Sequence, residues 1–421
     1  MINRIIIAGI FSVANAAHAQ DTLDPAGLLP AAVARPLLEQ DPSVAAARGG
    51  LEVARQEAGI LNSSPYEWTT RFTGQRRTVD NGPQSREWNA TLERTLRLPT
   101  KASADRYAGK AAIAESKAQY GEALNKSARN LMAMWIDWLA AERAYELATN
   151  NLSALEEGLA AVEKRSRAGD ASTLDLSVAR AELAEHRRLQ NDAKTEVTGA
   201  WARLSARFPG VEPLKIALPP PSPISRPSSF WRDRILAESD QLKLAQAQLQ
   251  KAQAAADRAR ADKIPDPTAG VFTGSEQGGR ERIVGFIVSI PLPLPGGARN
   301  LRSAKARAEV EVSRQEVELK KRELTAEIDS ALIAAVGAYD SLQIANDGAA
   351  AAQQNANLTQ RAYALGEADL QTLLLSRRQA TAALNNALAA QRAALKGYYE
   401  LLIDAHLVWE LEHNEDSSGG E

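Results

Sequence analysis

Two kinds of hydrophobic pattern alternate along this chain. Residues 100–208 contain no proline and are rich in Ala, Leu, Glu, Lys, Gln and Arg, which favour helix. Turn-forming residues 168–172 divide this stretch. The pattern predicts an antiparallel helical hairpin with a long arm over 100–167 and a shorter arm over 172–208. At ~1.5 Å per residue, the long arm measures about 100 Å and cannot fold inside one compact domain.

A second pattern, with a period of two residues, precedes the helical hairpin. Residues 68–73 and 87–96 alternate apolar and polar positions, and the turn-rich residues 79–83 separate them. Trp88, Ala90, Leu92 and Leu96 would share one face of the second strand. We therefore expect a strand hairpin over residues 67–97.

The same order of elements then returns, which indicates an internal duplication. A first repeat over 20–208 begins with a short helix near 31–61, interrupted at Pro36 and restarted at Asp41, and a Pro-rich linker over 209–229 follows. The second repeat, 230–405, contains a short helix near 230–263, a strand hairpin over 268–291 and a helical hairpin over 297–405. Three local matches support the duplication: Phe72-Thr73-Gly74 with Phe272-Thr273-Gly274, Leu98-Pro99 with Leu294-Pro295, and residues 168–171 with residues 365–368.

Composition and the first residues narrow the class of protein. Arg4, an apolar run and Ala17-His18-Ala19 predict a cleaved export signal over residues 1–19. The chain has no cysteine, which excludes thiol catalysis, Cys-type zinc sites and a lipid on an N-terminal Cys. A formal net charge of -2 gives no reason to expect nucleic-acid binding.

Later segments lack the ~18 apolar residues of a transmembrane helix, so contact with a membrane would have to use the strands or a surface helix. Four strands cannot close alone, because the smallest transmembrane barrels have ~8 strands. If the strands cross a membrane, several copies must share one barrel, since open edges in lipid leave backbone groups unpaired. Trp68 and Trp88 fit an interfacial aromatic belt, and Arg94 is tolerable only near an interface. The alternative is a small sheet on a soluble rod.

This order of elements resembles the TolC family of outer-membrane efflux ducts, over essentially the whole mature chain. Residues 167–176 and 363–370 resemble the periplasmic tips of that family. The compact length, the absence of cysteine and the turn Leu294-Pro295-Gly296-Gly297 are most similar to its CzcC-like branch, which is paired with heavy-metal exporters. The resemblance implies a mainly α fold with a small β part. In it, long helical hairpins form a periplasmic α-barrel, and four strands per protomer contribute to a shared transmembrane β-barrel.

The resemblance also implies the partners and the activity. A homotrimer would sit in the outer membrane, extend through the periplasm, and dock onto a periplasmic adaptor (membrane fusion) protein and an inner-membrane pump of the RND type. It would be a passive duct for heavy-metal cations, without enzyme activity or cofactor. Two alternatives remain: a duct for drugs, solvents or a secreted polypeptide, and a periplasmic coiled-coil scaffold without a pore.

In the family, aspartates six residues after the tip glycine often narrow the tunnel. The tip glycines here are Gly169 and Gly366, so the corresponding positions are Asp175 and Thr372. Because Thr372 carries no charge, an acidic ring from both repeats is not expected. The other tip acids could supply charge or cap helices, and capping is the favoured role of the last one. These acids are Asp170, Glu367 and Asp369.

Other conspicuous residues favour ordinary structural roles. His406 and His413 lie among glutamates near the C-terminus, where a solvated acidic tail over 406–421 is favoured over a metal-sampling tail. His186, beside two arginines, is expected on an exposed helix face. The aromatic residues of the long helices are expected to fill seams between helices; they are Trp135, Trp138, Tyr145 and Trp201. No phosphate-binding loop, nucleophile elbow or metalloprotease motif is present.

The position of Asp175 generates a test. Substitution Asp175→Ala should raise the conductance of purified trimers in planar bilayers or change their preference among cations, because a carboxylate at a constriction controls cation entry. Conductance and selectivity equal to those of the wild type would remove Asp175 from the gate.

Overall fold

The computed structural model describes residues 26–78, 80–214, 216–292, 296–409 and 411. The predicted export signal, the Leu294-Pro295 match, Glu410 and His413 lie outside these residues. None of the helices in the described ranges carries an apolar stretch that could span a lipid bilayer.

The two halves of the chain contain the same elements in the same order. The first half consists of α1 (Ala31–Glu39), α2 (Pro42–Asn62), β1 (Trp68–Thr78), β2 (Gln84–Thr95), α3 (Pro99–Ala168) and α4 (Thr173–Arg207). The second half consists of α5 (Ser228–Glu238), α6 (Asp240–Ala261), β3 (Thr268–Glu276), a short 3-10 turn (Gln277–Gly279), β4 (Glu281–Ser289), α7 (Gly297–Leu365) and α8 (Leu370–Asp404). This confirms the mainly α fold with four strands and an internal repeat.

Each half has two short helices; the sequence predicted the restart at Asp41 in the first half, but a single short helix in the second. The break expected at Pro36 is absent, because Pro36 lies inside α1 and its carbonyl still accepts from the Gln40 N–H at 3.1 Å. The chain breaks instead before Asp41, which caps α2 by accepting from the Ser43 N–H at 2.8 Å. In the second half Ser239 separates α5 from α6 and accepts from the Leu242 N–H at 3.3 Å.

The helices α3 and α7 are 70 and 69 residues long, so each extends for about 100 Å. Leu98 occupies the N-cap of α3, and Pro99 occupies the first turn, where its missing N–H costs nothing. Thr100, a residue type that often caps helices, therefore lies inside the helix and does not cap it. Small residues let α3 approach its neighbours closely: a Cβ on Gly109 would come within 2.9 Å of the Cβ of Ala58 in α2.

The shorter helices stack end to end beside these long helices. Where α4 ends and α2 begins, Arg207 lies 2.7 Å from the buried carboxylate of Asp41. Where α8 ends, the Arg234 side chain of α5 donates to the Ala405 carbonyl at 3.1 Å. One half-length helix and the short helices beyond it thus match the length of one long helix.

The main hydrophobic core lies where these stacked helices meet. Its fully buried centre is Leu131, Trp135, Ile136, Leu204, Phe208, Leu395, Leu402 and Ile403. Trp138 bridges Trp135 and Trp201, with ring centroids 5.0 Å apart on either side, so these three rings fill seams as expected. Tyr145 is only half-buried.

The chain after α8 also belongs to this core, which corrects the predicted solvated tail for the described residues. His406 and the apolar Leu407, Val408, Trp409 and Leu411 are buried. The Trp409 indole donates to the Leu29 carbonyl at 2.8 Å. The predicted solvated tail was based on the His and Glu residues of this segment. It overlooked the apolar residues, whose burial stabilises the core.

The four strands form one antiparallel sheet in the order β1-β2-β3-β4. The two hairpins pair through β2 and β3, with Trp88 opposite Ser275 and Thr95 opposite Thr268. Among the described residues, the outer edges of β1 and β4 have no strand partner.

A buried carboxylate joins the sheet to the helices. Asp266, just before β3, accepts from the Tyr66 hydroxyl at 2.7 Å and from the Leu98 N–H at 3.0 Å, and lies 3.1 Å from the Lys101 ammonium. Although burial opposes ionisation, these hydrogen bonds and Lys101 lower the pKa of Asp266 below its ordinary value. One side chain thus holds the entry to β1, the entry to β3 and the start of α3.

This contact predicts an acid-sensitive loss of stability. Asp266→Asn should destabilise the protein by about 2 kcal/mol near neutral pH, because it removes hydrogen bonds to a charged acceptor. A lowered pKa stabilises the fold above the ordinary carboxyl pKa, and this contribution disappears as the pH falls through the lowered value. The melting temperatures of wild type and variant should therefore converge in acid.

The exposed Asp257 of α6 offers a matched control, and Asp257→Asn should melt like the wild type at every pH. An Asp266→Asn protein as stable as the wild type at neutral pH would refute the assigned role, and so would a gap that persists undiminished in acid.

Candidate functional site: two helical tips and a two-faced sheet

The first helical tip is a tight turn between α3 and α4. Gly169 has φ +86°, a left-handed conformation that side chains disfavour, and it ends α3 with the Asp170 N–H bonded to the Arg165 carbonyl at 2.8 Å. Ser172 then starts α4 by accepting from the Asp175 N–H at 3.0 Å. The turn is fixed from both sides by local hydrogen bonds.

The second tip repeats this geometry with different residues. Gly366 has φ +80°, and the Glu367 N–H bonds to the Ala362 carbonyl at 2.9 Å. Asp369 caps α8 by accepting from the Thr372 N–H at 2.7 Å, which is the role favoured for it. The hydrogen bonds to Thr372 lower the pKa of Asp369.

Asp175 takes part in the first turn rather than standing free. Its carboxylate accepts from the Ser172 N–H at 3.1 Å and from the Ser172 hydroxyl at 2.8 Å, which completes a reciprocal capping box. By contrast, Asp170 and Glu367 are exposed and make no ion pair with any described residue. The tips therefore offer two free carboxylates, Asp170 and Glu367, and two carboxylates already used for capping, Asp175 and Asp369.

An ion pair between a buried carboxylate and an exposed guanidinium connects the two helical hairpins above the tips. Glu182 of α4 is 4% exposed, and both of its carboxylate oxygens lie 2.9 Å from the donating Nε–H of Arg378 in α8. The Nη2 of Arg378 also donates to this carboxylate. This hydrogen bonding lowers the pKa of Glu182. His186, one turn further along α4, is buried with its Nε2 3.3 Å from Glu182. The expectation that His186 lies on an exposed face is thus wrong. Its neighbours Arg187 and Arg188 are exposed, whereas His186 itself packs beside Glu182.

A cavity of about 540 Å³ lies between the first tip and the α7–α8 tip. Its walls are mostly apolar, and they include Leu155, Val162, Leu373 and Leu374. Arg377 also lines it, with its guanidinium 3.2 Å from the Gln360 side chain. Burial lowers the pKa of this guanidinium. The two tips are therefore joined by a loose apolar contact, whereas the Glu182 ion pair forms a specific one.

The sheet has two chemically different faces. The apolar face carries exposed side chains from all four strands: Trp68, Phe72, Trp88, Leu92, Val271, Val284, Phe286 and Val288. Phe72, Val284 and Phe286 are 73%, 81% and 82% exposed. The opposite face is largely polar and carries Arg71, Gln75, Glu87, Asn89, Thr91 and Glu93. Exposed apolar surface on this scale marks a membrane or a protein interface.

Trp68 and Arg94 lie at the end of the apolar face nearest the helices. They are cross-strand partners, and the Arg94 guanidinium lies 5.6 Å from the Trp68 ring centre. The same guanidinium donates to the Tyr66 carbonyl at 3.1 Å. Trp88 lies further along the strands and stacks on Phe72, with ring centroids 6.0 Å apart. The sheet thus places Arg94 at a margin of the apolar face, where a charge is tolerable.

Sequence reasoning missed the Glu182–Arg378 ion pair and the Asp266 junction. The i, i+4 spacing of Glu182 and His186 gave a weak signal for a polar seam, but nothing local connects either residue to Arg378. Asp266 was hidden between two prolines that mark a turn. Both sites form only when segments distant in sequence pack together.

Comparisons with known proteins agree on one family and one fold. A model of the family described as "Outer membrane efflux protein" matches residues 33–207 and 231–401. Among curated proteins, the sequence has no match.

Several solved outer-membrane channels share the fold. A structure of CusC is 17% identical, with a TM-score of 0.72 over 90% of this chain and 93% of that chain. VceC from Vibrio cholerae is 16% identical, with a TM-score of 0.71 over 89% of this chain and 95% of that chain. The Campylobacter jejuni CmeC channel is 17% identical, with a TM-score of 0.69 over 92% of this chain and 87% of that chain.

The Glu182–Arg378 contact yields a prediction for the region above the tips. Arg378→Gln should speed amide hydrogen exchange in the lower parts of α4 and α8 by roughly tenfold, because Glu182 loses a charge-assisted partner. Glu182→Gln should act similarly. The double variant should exchange far less than the sum of the two effects, since neither partner is left unpaired. Additive effects of the two substitutions would show that the pair is not coupled.

Proposed function

Since the chain belongs to the outer membrane efflux protein family, we propose that it is the outer-membrane channel of a tripartite efflux system. Three copies form a passive duct that receives cargo from a periplasmic adaptor and an inner-membrane pump and releases it outside the cell. A family member with this fold is a transport channel and not an enzyme.

The sheet is the observation that carries this proposal. One protomer supplies four strands of 9 to 12 residues, each about long enough to cross a bilayer at a tilt. Its apolar face suits lipid and its polar face suits a water-filled lumen. The free edges of β1 and β4 would leave backbone groups unpaired in lipid, and pairing β1 of one copy with β4 of the next removes both edges. Three copies then give a twelve-stranded barrel.

The exposed apolar side chains of the long helices also favour contact between copies of the chain. Apolar side chains stay exposed along α7 of the single protomer; Ile333 and Ile344 are 72% and 73% exposed. Burying such residues against a second copy is favourable by about 25 cal/mol per Å². Three protomers, each with two long helices and two stacked ones, form a twelve-helix tunnel through the periplasm.

The tips suit a protein partner. Leu174 and Leu365 lie beside the two turns and are 62% and 74% exposed, within reach of the free carboxylates of Asp170 and Glu367. Apolar side chains with charged neighbours are typical of docking surfaces. We propose that these tips bind the periplasmic adaptor, and that the inner-membrane pump of the assembly is of the RND type. The first 19 residues serve as the export signal, and the chain carries no lipid.

Heavy-metal cations are the proposed cargo, which rests on the CzcC-like resemblance and on the carboxylates at the tips. Drugs, solvents or a secreted polypeptide are the alternative cargo. Deletion of the gene should sensitise the cell to divalent metals if the proposal is right. Sensitivity to drugs with unchanged metal tolerance would reassign the cargo.

The location of the protein tests the duct itself. After cell fractionation, the wild-type protein should appear in outer membranes as an oligomer that dissociates on heating. Full recovery in osmotic-shock fluid would instead support a soluble periplasmic scaffold, and the duct would be refuted.

Asp175 remains the proposed gate residue. Because alanine would remove both the charge and the capping box, a second variant is needed that keeps the cap and lacks the charge. Asp175→Gln keeps a side chain that can bond back to the Ser172 N–H but removes the charge. We expect it to alter cation preference in planar bilayers. If Asp175→Ala alters conductance and Asp175→Gln does not, the effect comes from loosening the turn and not from the charge.

A further inference from the structure

Three arginines cluster at the end of the sheet that lies farthest from the helices. Arg76 and Arg86 are direct cross-strand partners, and Arg282 lies opposite Ser275 in the row that also contains Trp88. The alternation of side chains places all three on the apolar face, and all three are exposed. Neighbouring strands lie ~4.8 Å apart, so β4, which carries Arg282, is about 10 Å from β2, which carries Arg86. The row of Arg282 is two positions closer to the helices than the row of Arg86.

These guanidiniums have no acidic partner among the described residues. The strand acids at this end are Glu87, Glu276 and Glu281, and the register puts each of them on the opposite, polar face. There Arg77 lies 3.2 Å from Glu87 and 3.8 Å from Glu276. At this end of the sheet, the acidic side chains and Arg77 thus lie on the polar face. The charged side chains on the apolar face are all basic.

This arrangement is unfavourable without an external anion. Like charges in a direct cross-strand pair destabilise a sheet, and Arg76 faces Arg86 in that way. An anion bound between the two guanidiniums would remove the repulsion and accept charge-assisted hydrogen bonds from both.

The height of the cluster fits a membrane surface. Eight positions separate Trp68, opposite Arg94, from Arg76, opposite Arg86. At ~3.4 Å per residue this is about 27 Å along the strand, or about 21 Å at a tilt of ~40°. Between those rows the face carries one charged residue, Arg282, in the row next to Arg76 and Arg86. Arg94 at one end and the three arginines at the other thus bracket an apolar band of about 16 to 21 Å, somewhat thinner than the ~25 Å that outer-membrane barrels show.

Resting on the proposed function, we propose that Arg76, Arg86 and Arg282 bind the phosphate groups of a phosphorylated glycolipid in the outer leaflet. The helices leave from the opposite end of the sheet, so the arginine end faces the outside in the proposed duct. Phosphate is recognised there by three guanidiniums, while the acyl chains lie along the apolar side chains below, including Trp88, Val284 and Phe286. In a trimer, this gives three equivalent lipid sites around the barrel.

The test titrates the detergent-solubilised full-length trimer with lipid A and with lipid A stripped of its phosphates, and counts bound lipid by native mass spectrometry. The wild type should prefer the phosphorylated form. Replacing all three arginines with glutamine should weaken binding of that form on the order of tenfold to a hundredfold, since each basic residue at a membrane surface contributes to anionic lipid binding.

Two control variants separate the site from general charge and from misfolding. Arg71→Gln removes an arginine from the polar face of β1 and should bind lipid A like the wild type. Replacing the three arginines with lysine keeps the charge and should retain most of the binding. Retained binding by the lysine protein shows that loss in the glutamine protein reflects the charges.

The proposal is overturned if the wild type binds both lipids equally, or if the glutamine protein binds lipid A like the wild type. It is also overturned if inorganic phosphate displaces the lipid completely, since the arginines would then be a free-phosphate site. Absence of the wild-type protein from outer membranes would refute the duct itself, whereas presence there without lipid preference refutes only the arginine site.

Discussion

Pairing of backbone groups along the strands is the constraint on which the rest of this structure depends. A four-stranded sheet with one apolar face leaves the outer edges of β1 and β4 unpaired. In water such edges are solvated, but in hydrocarbon each lone N–H or C=O costs several kcal/mol. Closure with other copies of the chain would satisfy these groups, so the proposed duct requires an oligomer. The exposed apolar residues of α7 then become contacts between copies rather than defects.

The sheet can act as part of a duct only if it is held rigidly on the helices, and buried polar contacts do this. Asp266 receives hydrogen bonds from Tyr66 and Leu98 and pairs with Lys101. Nearby, the carboxylate of Asp105 lies 3.0 Å from Arg97. Unlike apolar packing, these contacts have fixed geometry, and an unpaired buried charge is costly. The lowered pKa of Asp266 keeps the junction charged over the range in which most proteins are stable.

At the other end of the molecule, the two tips share a backbone and differ in side chains. Both turns use a left-handed glycine and a side-chain cap, because a reversal between long helices must satisfy their free backbone groups. Within that shared geometry, Asp175 joins a capping box through its carboxylate, whereas Thr372, at the corresponding position, donates hydrogen bonds to Asp369 and brings no charge. The hairpins are linked near the tips by the Glu182–Arg378 pair and by apolar contacts around a cavity, and farther from the tips by ion pairs such as Lys396 with Asp137.

The sequence by itself determined the long helices, the alternating strands, the glycine turns and the repeat, because each depends on residues close in the chain. Periodicity, helix propensity and the special conformation of glycine act locally. It did not determine that Pro36 stays inside a helix, that His186 is buried, or that the apolar residues after α8 belong to the core, namely Leu407, Val408, Trp409 and Leu411. Those outcomes, together with the Asp266 junction and the Glu182–Arg378 pair, were decided by the tertiary structure. Burial and ion pairing depend on segments that lie far apart in sequence, and no local pattern specifies which of them meet.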